Sequence, residues 1–141
     1  MIATGESIKQ YIPQREPMMM IHDLLEADAE HAVSSFHIAA DNIFVEEGKF
    51  REPGLVENIA QTAAAQAGYF FIQNKLPVPV GYIARIKNLR VHTLPDEGAD
   101  LRTIIRVVNH VFEMTLVRGE VIWRGNLICE CEMSIFAKKT N

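Results

Sequence analysis

The chain has no surplus of positive charge. Its 14 lysines and arginines stand against 18 aspartates and glutamates, a net charge of −4, and the basic residues are scattered. Nucleic-acid binding draws much of its affinity from a concentrated basic surface, so that class of partner is excluded. No apolar run approaches the ~20 residues that span a bilayer. The start, MIATGESIKQ, lacks both the basic residues and the apolar core of an export signal, so a cytoplasmic protein without a membrane span is expected. Cysteine is scarce too. Cys129 and Cys131 are two residues apart in an alternating stretch, so they point the same way along one strand and are poorly placed to bridge each other. With no further Cys or nearby His to complete a ligand set, they read as buried structural thiols. Neither a metal nor a cofactor is called for.

The most informative absence is local. Between Glu57 and Lys75 there is no charged side chain. The segment from Leu55 to about Asn74 has helical length, about 30 Å at 1.5 Å per residue, and Pro53-Gly54 is a plausible start for it. Ala60, Ala63, Ala64, Ala65, Ala67 and Gly68 give it little bulk, and Tyr69, Phe70, Phe71 and Ile72 enlarge its far end. A helix apolar almost all round is wrapped by something else, and the rest of the chain is expected to supply the wrapper.

Before the helix, Ser7 to Ile12 predicts a short helical turn ended by Pro13. PQREPMMMIHDLLEAD then becomes extended, with Met18 to Met20 as core filler entering a strand, and HAVSSFHIAADNIFV gives a second strand from His31. After the break at LPVPVG come YIARIKNLRVHTL, DLRTIIRVVNHVFEMTLVRGEVIWRG and NLICECEMSIFAKK, read as strands separated by the turns PDEGA and RGN. In the last, Cys129, Cys131, Met133 and Ile135 alternate with Glu130, Glu132 and Ser134, so one face is buried and the other wet. Strands, one long helix, then long antiparallel strands make an α+β pattern. The 141 residues suit one domain over 1–141.

Specific segments carry a family likeness. YIPQREPMMMIHDLLEAD resembles the opening LPHR-P-hydrophobic-D segment of the β-hydroxyacyl-acyl-carrier-protein dehydratases, and PGLVENIAQTAAAQAG is similar to their central PG…VE.(L/M)AQ…A helix. GYIARIKNLRV and GADLRTIIRVV follow in the order of that family's strands. The likeness covers nearly the whole chain, and within the superfamily it leans toward the dehydratases of aryl-polyene and flexirubin-type pigment pathways. It implies a hot-dog fold, a long helix wrapped by a curved antiparallel sheet. It also implies an acyl-thioester ligand on acyl carrier protein or coenzyme A, and a homodimer or higher oligomer, with a heteromeric assembly with another dehydratase as a variant.

Two departures stand out. Where the family carries its histidine in GHFPG, this chain reads GKFREPG, with Lys49 at the expected place; where the family reads LPHR, this chain reads Ile12-Pro13-Gln14-Arg15. The resemblance makes Glu57 the carboxylic acid that protonates a departing β-hydroxyl, while backbone N–H groups at Gly54 and Leu55 hold the thioester oxygen. A first-turn carboxylate beside a helix's positive end is also ordinary electrostatics. Gln61, one turn on, is placed to bond Glu57 and fix its rotamer, with Asn58 a supporting candidate on a neighbouring face. For the base that removes the α-proton, the candidates are His22 or a residue from across a subunit interface. Lys49 is a candidate contact for a carrier phosphate. The alternative activities are a hot-dog thioesterase, with Glu57 activating water, and a non-catalytic partner subunit of a heteromeric dehydratase.

Overall fold

The computed structural model describes residues 1–138. A short strand β1 (Ala3–Thr4) leads into a 3₁₀ turn over Gly5–Gln10, followed by β2 (Asp23–Ala27) and β3 (His31–His37). A small hairpin, β4 (Val45–Glu46) and β5 (Lys49–Phe50), precedes the single long helix α1 (Glu52–Gln73). Four long strands close the fold: β6 (Val80–Val91), β7 (Asp100–Val111), β8 (Met114–Trp123) and β9 (Asn126–Lys138). Seven strands form one antiparallel sheet in the order β1-β2-β3-β7-β8-β9-β6. Register shifts in β2, β6, β7 and β9 are the irregularities that bend strands. With α1 on the inner face, this is the hot-dog arrangement.

Burial along the strands follows the period of two. Leu101, Thr103 and Ile105 of β7, Val117 and Val121 of β8, and Cys129, Cys131 and Met133 of β9 point inward. Arg102, Arg106 and Arg118 point out. The helix lies very close to this layer: a β-carbon at Gly119 would stand 2.4 Å from Ile59 Cγ2. Only glycine leaves Ile59 room between Ile105 and Cys131, the residues that pair with Gly119 across the sheet.

Three boundaries differ from the sequence reading. The helix begins at Glu52, three residues before Leu55, because Pro53 in the first turn needs no N–H partner and its fixed φ suits a helix start. The Met18 to Met20 run is not strand: β2 begins only at Asp23, and Met18 is exposed while Met20 is fully buried. The long DLRT…WRG segment folds into two strands around Phe112 and Glu113. Phe112 takes a left-handed φ of 56° in a turn without the glycine or asparagine that normally signals one.

The wrapper is also incomplete. β6 is an edge strand whose residues 80–90 are all exposed, including Val80, Tyr82, Ile83, Ile86 and Leu89. Beside it, one flank of α1 faces open space rather than protein.

Candidate active site

The helix start uses up its own donors. Gly54 N–H and Leu55 N–H both donate to the Arg51 carbonyl, at 2.9 and 3.3 Å, and Pro53 has no N–H. The Glu52 carboxylate turns back on its own N–H, which, with Arg51 beside it, holds Glu52 below the ordinary carboxylate range. Leu55 is fully buried. At Gly54 a β-carbon would meet Phe50 Cζ at 2.4 Å and Phe44 Cβ at 2.9 Å. The N–H groups of Gly54 and Leu55, which the resemblance assigns to a thioester oxygen, are engaged within the cap in this structure, and the Phe50 ring is what leaves no room for a β-carbon at Gly54.

Because the helix starts early, Glu57 lies in its second turn, where the macrodipole has largely faded; Glu52 is the first-turn acid. Helix-start electrostatics thus loses its footing as the account of Glu57. Its carboxylate is half-buried and is held by Gln61, whose Nε2 donates to Glu57 Oε2 at 2.9 Å. The same Nε2 donates to the Met18 carbonyl at 2.7 Å, and Gln61 Oε1 accepts from Met20 N–H at 2.6 Å. Turning the amide over would set oxygen against two acceptors, so the surrounding bonds fix its orientation. One buried side chain ties the opening segment to the helix and holds Glu57 in place.

Asn58, expected in support, belongs to the core instead. It is fully buried, its Nδ2 donates to the Met20 carbonyl at 2.7 Å, and its Oδ1 accepts from the Thr103 hydroxyl. Beside it Thr62 donates to the Asn58 carbonyl at 2.8 Å, which leaves Ser34 as donor in the 2.7 Å contact with Thr62. These pairs fasten α1 to β3 and β7.

Glu57 opens on a cavity of about 1250 Å³. Ala60, Ala64 and Ala67 line its helix side, Tyr11 and Gln14 come from the opening segment, and Gly81 and Ile83 from β6. From Glu57 to Phe71, which also lines it, the helix advances about 20 Å at 1.5 Å per residue. The cavity is thus a long apolar groove with a carboxylate toward one end. His110, passed over in the sequence because it sits in an ordinary strand alternation, lines the groove too, its Nδ1 3.1 Å from Thr115 Oγ1. It stands seven strand positions from Thr103, the partner of Asn58. At ~3.3 Å per residue that is about 20 Å along β7, toward the far end of the strand.

The other two candidates lie outside the groove. His22 packs against the Phe36 ring at 4.8 Å, and its Nδ1 accepts from His37 N–H at 3.1 Å. Burial pulls its pKa below the ordinary histidine value, against an opposing effect of Asp23. Lys49 is ion-paired to Asp96, so its charge is spent on the chain itself. Burial raises the thiols of Cys129 and Cys131 to about 12 and about 11. Among the described residues no cluster of three or more His, Cys, Asp or Glu could hold a metal ion, and no helix is long and apolar enough to cross a membrane.

Comparison with known proteins supplies the remaining findings. The family model described as ApeP-like, ApeP dehydratase, matches residues 6–141. No curated protein matches the chain in sequence. Among solved structures, the dehydratase heterocomplex ApeI:P from Xenorhabdus doucetiae superposes with a TM-score of 0.87 at 14% identity, covering 94% of this chain and 91% of that one. A hypothetical thioesterase with coenzyme A from Streptococcus pneumoniae TIGR4 gives a TM-score of 0.69 at 9% identity, over 84% of this chain and 87% of that one. The E. coli PaaI protein from the phenylacetic acid degradation operon gives 0.65 at 10% identity, over 81% of each chain. At such identities the structures speak to the fold alone.

Proposed function

The chain belongs to the ApeP-like dehydratase family, and from this we propose that it takes part in dehydrating a 3-hydroxyacyl thioester, carried on acyl carrier protein or coenzyme A, in fatty-acid or polyene biosynthesis. The carrying observation is Glu57: a carboxylate with its rotamer set by Gln61, opening on an apolar groove of acyl-chain dimensions. In the reaction a base takes the α-proton, the Cα=Cβ bond forms, the Cβ–O bond breaks, and Glu57 in its acid form gives its proton to the hydroxyl, which leaves as water.

The base and the oxyanion donors come from a second subunit. His22 and Lys49 lie away from the groove, and the cap donors at Gly54 and Leu55 are engaged. A second hot-dog chain pairing along β6 would close the open flank of α1 and bring its own groups to Glu57. That partner is a second copy or a different dehydratase chain. The dehydratase heterocomplex among the structural relatives supports the latter.

The test is to incubate the protein, alone and with a candidate partner subunit, with a 3-hydroxyacyl and a saturated acyl thioester, scoring enoyl formation against free thiol. Glu57→Gln keeps the shape and can still accept from Gln61, yet removes the acid; enoyl formation is expected to fall by about 10²-fold or more with the melting temperature preserved. Wild-type turnover in Glu57→Gln would leave the residue without a role. Free thiol without enoyl would instead establish the thioesterase reading, which draws on the same carboxylate activating water.

A further inference from the structure

Met20 lies outside any strand, and among the described residues neither its N–H nor its carbonyl has a backbone partner. Both are taken by side chains of α1. Gln61 Oε1 accepts from the N–H at 2.6 Å, and Asn58 Nδ2 donates to the carbonyl at 2.7 Å. Each of these amides has a further bond that leads away from Met20. Asn58 Oδ1 accepts from the Thr103 hydroxyl of β7, and Gln61 Nε2 donates to Glu57 Oε2 at 2.9 Å. The donors therefore run one way: Thr103 to Asn58, Asn58 to Met20, Met20 to Gln61, Gln61 to Glu57. Thr103, Asn58 and Gln61 are buried, and of the whole series only Glu57 lines the groove.

Hydrogen bonds aligned in this way polarise one another, and a satisfied buried network specifies a single arrangement. Its last donor meets Glu57 Oε2, so the acid form of Glu57 carries its proton on Oε1. That oxygen accepts no bond from the chain. It is also not closed off, because Gln14 Oε1 is the one closed and unpartnered side-chain oxygen or nitrogen among the described residues. We propose that Thr103 and Asn58 are positioning residues for Glu57: through the Met20 backbone they fix Gln61, which leaves Oε1 as the oxygen that gives its proton to the substrate's hydroxyl. This rests on the dehydratase reading above and deepens it. When the proton leaves, the Gln61 donor stays on the carboxylate and stabilises the charge that remains. The Ser34–Thr62 pair, 2.7 Å apart and equally buried, fastens the same helix to β3, but its bond to Asn58 goes to the backbone carbonyl and not to the amide.

The test compares Thr103→Ala, Thr103→Val, Thr103→Ser and Ser34→Ala in the protein with its partner subunit. It reads kcat and KM for enoyl formation from 3-hydroxyoctanoyl pantetheine thioester, the melting temperature, and the Gln61 side-chain amide signals in 15N NMR spectra. Thr103→Ala adds no methyl against Asn58 and Thr103→Val keeps the volume, so whichever folds carries the prediction. Its kcat should fall about tenfold, a fraction of the ~10²-fold that a 1 Å misplacement costs, with KM within about twofold and the Gln61 signals moved. Thr103→Ser, which keeps the donor, should restore both. Ser34→Ala should lower the melting temperature while kcat and the Gln61 signals stay at their wild-type values. Either a wild-type kcat or unmoved Gln61 signals in the Thr103 variants overturns the assignment. So does an equal loss of kcat in Ser34→Ala, which would make Thr103 one fastening among others. If wild type with its partner forms no enoyl, the dehydratase reading fails, while the Gln61 signals still decide whether Thr103 reaches the residue that holds Glu57.

Discussion

Replacing Gly54 by alanine tests whether that position serves packing or chemistry. The new β-carbon would lie 2.4 Å from Phe50 Cζ, 2.5 Å from Cε1 and 2.9 Å from Phe44 Cβ. Phe50 is fully buried and packs with Phe36 at a centroid distance of 5.9 Å, so the ring cannot swing into solvent. Overpacking a core by such a group costs about 1 to 3 kcal/mol, and glycine to alanine inside a helix returns about 1 kcal/mol. The net is a loss of about 1 kcal/mol for Gly54→Ala; Gly54→Val, with two more methyl groups, should lose about 3 kcal/mol or fail to fold. In urea, with a slope near 2 kcal/mol per M, the alanine variant's midpoint should fall by roughly 0.5 M, measured by circular dichroism at fixed protein concentration. Phe50→Leu should make room, so that the two substitutions together cost at least about 1 kcal/mol less than their sum. Turnover per folded molecule should match wild type in Gly54→Ala, because the Gly54 N–H already serves Arg51. An alanine variant as stable as wild type, or a cycle without coupling to Phe50, would refute this account.

Two further outcomes follow from burial. Ile86 sits midway along the exposed β6 edge at 39% exposure; if chains pair along β6 as proposed, wild type should sediment as an assembly and Ile86→Lys should shift it toward single chains without lowering the helix signal, and an unchanged mass would refute pairing along β6. Thiols raised to about 12 and about 11 leave at most about one thiolate in 10³ at pH 8, so Cys129 and Cys131 should resist iodoacetamide in the native protein and react fully in urea.

The alternation of Cys129, Cys131 and Met133 and the uncharged run after Glu57 made the inner sheet face and the buried helix legible from residues alone. Their periods are strong and local, and tertiary packing agrees with them. Turns made without glycine were illegible, since Phe112 adopts its left-handed φ with no sequence mark. The site was legible only in part. The spacing of Glu57 and Gln61 gives their contact directly, because four residues in a helix fix a neighbour. Asn58 follows the same arithmetic, yet faces Thr103 and Met20, partners 45 and 38 positions away, which no local pattern announces. Gln14 read only as the place of an absent histidine, and its position in the groove lining depends on the distant elements that form that cavity.

The open edge of β6 also bears on how the protein must be made. A strand of 12 residues with apolar side chains on both faces and no covering element is a template for whatever strand arrives first. If the proposed pairing along β6 holds, a cell that produced this chain in excess of whatever covers that edge would hold a standing pool of sticky edges, so the supply of the covering strand becomes a condition of solubility. Yield on production alone, compared with production beside a partner, would then measure how well stoichiometry is kept.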